Sequence, residues 1–194
     1  MQDVQRFLAK VAASRRGTQA ASHVGFTSPP GLRLPPALES AIDHKWLIAP
    51  VLGRTAYALE SARVDLPSAE REQIEYWAAT YPDTNWLLHT GAESAVVALE
   101  IELRLARHSL AYLAADDWSW QRTLHFAVQG RWRVLFECVP GLPSLDGYPG
   151  LHLHKSGPIL IPPSRMPSGI ELVYADPLAP LLPAAWLRKA VSLG

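Results

Sequence analysis

The chain has 194 residues, 48% hydrophobic and 19% charged, enough to bury one substantial core and too few for two full-sized domains. Its 18 basic and 18 acidic residues cancel, so overall charge argues for no nucleic-acid, membrane or acidic-substrate partner, and any such patch must be local. A single cysteine, Cys138, excludes an internal disulfide framework and a cysteine-based zinc site and fits a reducing compartment.

No apolar stretch approaches the ~20 residues of a membrane span, and the first residues lack a signal-peptide apolar region. A soluble cytoplasmic protein is the expectation. Val4, Phe7, Leu8 and Val11 recur at helical spacing, so Val4 to Ala13 is predicted as a short amphipathic helix. Lys10, Arg15, Arg16 and Arg33 face only Asp3 before residue 35, either a phosphate-touching basic arm or a solvated terminus. Gly17 to Pro36, rich in Ser, Gly, Thr and Pro, reads as an extended linker, so residues 1–35 are set apart from a domain at 36–194.

Pro36 suits the first turn of a helix running to about Lys45, and Trp46 to Val51 reads as a buried strand. Ser68 is placed as the cap of a helix carrying Ile74, Trp77, Ala78 and Tyr81 on one stripe and ending at Pro82. Strands are predicted at Asn85 to Leu88 and Ala95 to Leu103, and a helix from Arg104 to Ala114. Thr123 to Val128 and Trp132 to Val139 then flank a Gln129-Gly130 hairpin turn. Beyond a Pro- and Gly-rich loop come strands at Leu151 to His154, Pro158 to Ile161 and Ile170 to Tyr174. Helices followed by clustered strands indicate an α+β domain with a mixed or antiparallel sheet flanked by helices.

The apolar run from Ala95 ends in Glu100-Ile101-Glu102, and a strand projects residues i and i+2 from one face. Two carboxylates that close repel unless something neutralises them. A divalent cation is one answer, since Mg²⁺ and Mn²⁺ take hard oxygen ligands together with phosphates; a position past the sheet edge, facing water, is the other. His152 and His154 form a second same-face pair, open to three readings: a zinc-type site, contact with phosphate or nucleic acid, or an outer strand face. Trp118, Trp120 and Trp132 could stack bases, but seven tryptophans in one small chain fit packing better. Walker-type and nucleophile-elbow motifs are absent.

Three stretches together resemble the N-terminal domain of bifunctional DNA primase/polymerases, of the archaeo-eukaryotic primase superfamily. They are Ile74 to Trp77 with Tyr81-Pro82-Asp83-Thr84-Asn85 and Thr90-Gly91; the strand ending in Glu100-Ile101-Glu102; and Pro162-Pro163-Ser164, Ser168-Gly169 and Tyr174 with Pro177 to Leu181 and Trp186-Leu187. The resemblance covers roughly residues 36 to 187. It implies an RRM-like core and a nucleotidyltransferase using Mg²⁺ or Mn²⁺ and nucleoside triphosphate on single-stranded or primed DNA, with a helicase or replication protein acting in trans.

Carried over position by position, the resemblance assigns Glu100, Glu102 and His152 as metal ligands and catalytic residues, and Arg131, Arg133 and Lys155 as nucleotide-binding residues, with Arg165 on the same face. Three departures weaken the centre. Glu100 stands where the family has aspartate, Arg133 where it has histidine, and His152 where it has its third acid. Arginine binds phosphate but transfers no proton, and imidazole is a poor Mg²⁺ ligand. The expectation is a domain that binds nucleotide and DNA with reduced or lost activity; the alternatives are an active Mn²⁺-dependent primase/polymerase and, more remotely, a small metallohydrolase on His152 and His154.

Overall fold

The computed structural model describes residues 32–51, 67–114, 121–166, 168–183 and 187. The predicted N-terminal helix, the basic positions Lys10, Arg15 and Arg16, and Trp118, Trp120 and Trp186 lie outside them. The elements run α1 (Pro36–Asp43), β1 (Ile48–Val51), α2 (Arg71–Thr80), β2 (Asn85–Thr90), β3 (Val96–Ile101), α3 (Leu103–Ala114), β4 (His125–Val128), β5 (Arg131–Glu137), β6 (Leu151–His154), β7 (Gly157–Ile161) and β8 (Leu182–Pro183). The fold is α+β, as expected, but the strands divide between two sheets.

One sheet has the order β1-β2-β7 and is antiparallel throughout. The other has the order β4-β5-β3-β6, with β8 added parallel to β5. All of β1 and nearly all of β2 is buried, as strands covered on both faces must be. The first core lies between the sheets: Trp86, Leu88 and Ile161 from one meet Val96, Ala98, Phe126 and Leu135 from the other, and Leu38, Ile74 and Trp77 join from α1 and α2. The second core covers the far face of the larger sheet, where Leu99, Ile101, Val134 and Phe136 pack against Ala106, Leu110 and Leu113 of α3.

Polar pins fix the sheet register. Asn85 donates through Nδ2 to the Arg165 carbonyl (3.0 Å) and accepts from the Arg165 N–H (2.7 Å), while the Trp86 N–H donates to Ser164 Oγ (2.8 Å). Ser164 is 1% exposed, so its hydroxyl would be costly to bury without this partner. The Asn85 turn and the Pro-Pro-Ser segment, far apart in sequence, are thus one structural unit.

Several expectations shift. Ser68 does not cap α2: the N-cap is Glu70, and Ser68 Oγ instead accepts from the Glu70 N–H at 3.0 Å. Ile170 to Tyr174 forms no continuous strand, only bridges pairing Glu171 with Arg165 and Tyr174 with Phe126, because Ile170 and Val173 point outward at 62% and 69% exposure. The Gln129-Gly130 turn has positive φ at both residues, 49° and 79°, the signature of a type I′ hairpin.

Candidate functional site

Strand β3 is central in its sheet, with β5 on one side and β6 on the other. Glu100 stands opposite Arg133 on β5 and opposite His152 on β6. Since side chains alternate along a strand, Arg131 and Arg133, Glu100 and Glu102, and His152 and His154 project from one face. Leu99, Ile101, Val134, Leu151 and Leu153 turn to the second core on the other face. The polar face looks into the space between the sheets: Arg133 Nη1 donates to the Leu160 carbonyl of β7 at 3.2 Å.

Both oxygens of Glu100 are engaged. Arg131 Nη1 donates to Oε1 at 2.6 Å and Arg133 Nε to Oε2 at 3.0 Å. Arg131 Nη2 also lies 3.2 Å from Glu102 Oε2. His154, Arg131 and Arg133 together hold the Glu100 carboxyl well below the usual carboxylate range, against the opposing effect of burial. The imidazole acts from a distance, since His154 Nε2 sits 3.9 Å from Glu100 Oε2 and has no hydrogen-bond partner. At that distance no hydrogen bond forms, so the two guanidinium groups set the geometry of the carboxylate.

At the open end of this face is a cavity of about 210 Å³ bordered by Glu100, Glu102, Arg131, His152, Leu105 and Gly150. The structure therefore brings together Glu100, Glu102, Arg131 and His152, with Arg133 and His154 deeper in. The His152 and His154 rings meet edge to face, centroids 4.5 Å apart. Lys155 is directed elsewhere, its amine donating to the Leu142 carbonyl at 2.7 Å. Arg165 lines a separate groove with Tyr81, Asp83 and Trp86, so the single basic face expected of Arg131, Arg133, Lys155 and Arg165 does not form.

As arranged, the donor set does not fit a two-metal centre. A divalent ion beside Glu100 would lie against two guanidinium charges already on its oxygens, and like charges at this range repel strongly. Among the described residues, no group of three or more His, Cys, Asp or Glu side chains could hold a metal ion. The charge problem posed by Glu100 and Glu102 is answered by arginine. Arg131-Trp132-Arg133 carries the same i, i+2 spacing as Glu100-Ile101-Glu102, so the two pairs meet once β5 lies beside β3.

Two further residues shape the site. Gly150 has φ +77°, and a Cβ there would strike the Ala106 nitrogen and come within 2.7 Å of the Leu105 carbonyl carbon. Leu105 sits at the cavity rim, 55% exposed. Among the described residues no helix is long and apolar enough to cross a membrane.

A family model described as bifunctional DNA primase/polymerase, N-terminal, matches residues 37–185. No curated protein matches the chain closely enough to serve as a relative.

Proposed function

The chain belongs to the bifunctional DNA primase/polymerase N-terminal family, and from that premise we propose that it binds nucleotide and DNA on a nucleotidyltransferase scaffold whose catalytic carboxylates have become structural ions. The observation that carries this reading is Glu100, with a guanidinium on each oxygen. Phosphoryl transfer by this fold needs carboxylates free to hold metals that bridge the triphosphate and activate the attacking hydroxyl. Arg133, tied to both Glu100 and the Leu160 carbonyl, is committed to the scaffold. Arg131 is half exposed at the cavity mouth, and is the group free to exchange a carboxylate for a nucleotide phosphate, which guanidinium binds with two parallel hydrogen bonds.

A second reading follows from the same exposure. If Arg131 swings out, Glu100 and Glu102 regain oxygen atoms facing the cavity, and Mn²⁺, more tolerant of a nitrogen ligand than Mg²⁺, could be held there with His152. Primer-extension and de novo priming assays with Mg²⁺ and then Mn²⁺ separate the two. The expected result is no product beyond that of the Glu100→Ala/Glu102→Ala double variant, alongside measurable binding of nucleoside triphosphate. Mn²⁺-dependent product lost in the double variant would replace the first reading with the second.

A further inference from the structure

Helix α3 turns one side to the second core through Ala106, Leu110 and Leu113 and leaves the rest uncovered. Its sequence, LRLARHSLAYLA, has no acidic residue. At 100° per residue, Arg104 and Arg107 form a cationic ridge along the exposed side with His108 beside them, and Leu105 and Tyr112 lie along one flank. Neither arginine has an ion-pair partner among the described residues, whereas Arg71, Arg131 and Arg133 all do. In a molecule with no net charge, this is a local positive surface that nothing in the described fold neutralises.

The flank is aromatic. Tyr112, 56% exposed, stacks on Tyr148 of the neighbouring loop with centroids 6.4 Å apart and planes 27° from parallel. Ser109 Oγ donates to the Pro149 carbonyl at 3.0 Å, fixing that loop against the helix. Leu105, one turn toward the helix start, borders the cavity that holds Glu100 and Arg131. Ridge, aromatic pair and cavity are therefore continuous.

We propose that the exposed side of α3 is a docking surface for single-stranded DNA, with phosphates on Arg104, Arg107 and His108 and a base stacked on the Tyr112 and Tyr148 pair, leading the strand toward the cavity. The proposal rests on the reading of the chain as a DNA-binding primase/polymerase domain, and it names where the strand lies. A cationic track beside an exposed aromatic platform is the recurring arrangement for sequence-tolerant single-strand binding, because phosphates are read by charge and any base offers a face to stack on. From Arg104 to Tyr112 the helix advances about 12 Å, room for about three nucleotides at the ~3.4 Å spacing of stacked bases. An acidic protein surface would use the arginines but leave the tyrosine pair without a role.

Fluorescence anisotropy of a labelled single-stranded oligodeoxynucleotide, titrated at several salt concentrations, tests this. All substituted residues are exposed, so the variants should fold. Arg104→Gln/Arg107→Gln is expected to weaken binding at least tenfold at low salt and to reduce the slope of log K against log salt by about 1.4, from ~0.7 per single-strand phosphate contact. Tyr112→Ala is expected to weaken binding about fivefold or more with the slope unchanged. The charge-matched control Lys45→Gln/Arg71→Gln, on and beside helices at the other core, should bind like wild type. If wild type binds but Arg104→Gln/Arg107→Gln binds equally well, the surface is overturned and the DNA-binding reading stands. Absence of wild-type binding at low salt would overturn both. Tyr112→Ala without effect would point to an acidic protein and overturn the assignment to DNA. Binding of single-stranded RNA alone would overturn it as well.

Discussion

Glu100 occupies a central strand with its side chain only 12% exposed, and its ionised form is favoured by His154, Arg131 and Arg133 together. The sign of the consequence follows from linkage. Because the folded-state pKa is depressed below the ordinary value of 4.5, folding stability from this group is fully present above that value and is lost as pH falls below it, when the unfolded chain takes up the proton first. Wild type should therefore lose stability progressively below about pH 4.5. Glu100→Gln should be less stable at neutral pH, yet its denaturation midpoint should change less on acidification. Urea denaturation at pH 7 and pH 3 checks this, and a constant gap between the two proteins would sink it. The carboxylate pair could be found from sequence because i, i+2 spacing fixes one face. Its partners are not legible there: Arg133 reads toward a nucleotide, since sequence alone does not say which strand lies beside which.

The junction of α3 with the loop entering β6 is the tightest element contact at the cavity. The Glu102 N–H donates to the Gly150 carbonyl at 2.8 Å, and the Gly150 hydrogen occupies space where a Cβ would meet the first turn of α3. Gly150→Ala combines an unfavourable positive φ with a backbone collision. It should cost about 3 kcal/mol, a fall in melting temperature of about 10 °C. Gly130→Ala is the contrasting case: φ is also positive, at +79°, but nothing lies within 4 Å of the new Cβ, so about 1 kcal/mol is expected. Equal melting temperatures for the two variants would show that the collision carries no cost. At this scale most elements were legible, since α1, α3, the hairpin around Gln129-Gly130 and β6 follow directly from periodicity and turn chemistry. Ile170 to Tyr174 reads as a strand because apolar residues at alternate positions look the same whether or not a partner strand is present. Ser68 reads as the cap because a serine two residues ahead of the N-cap has the same composition signal as the cap itself.

The larger sheet belongs to both cores, with Val96, Ala98 and Leu135 facing one and Leu99, Val134 and Phe136 facing the other. Loss of packing on one face should therefore loosen both. Leu113→Ala, at a fully buried position of α3, should cost about 3 kcal/mol. Native-state hydrogen exchange should then report the same loss at the amides of β2, in the other sheet, as at those of β3. Protection of β2 unchanged in the variant would mean that the two cores unfold separately. The division into two sheets was not legible in sequence, because it depends on pairings such as Asn85 with Arg165 across 80 positions. The same lattice of charge also constrains substitution. Removing Arg131 or Arg133 alone leaves a largely buried carboxylate short of a counter-ion, and placing an acid at His152 alone adds another negative charge beside Glu100. Each of these single changes thus lowers stability, so the charge cluster resists alteration one substitution at a time.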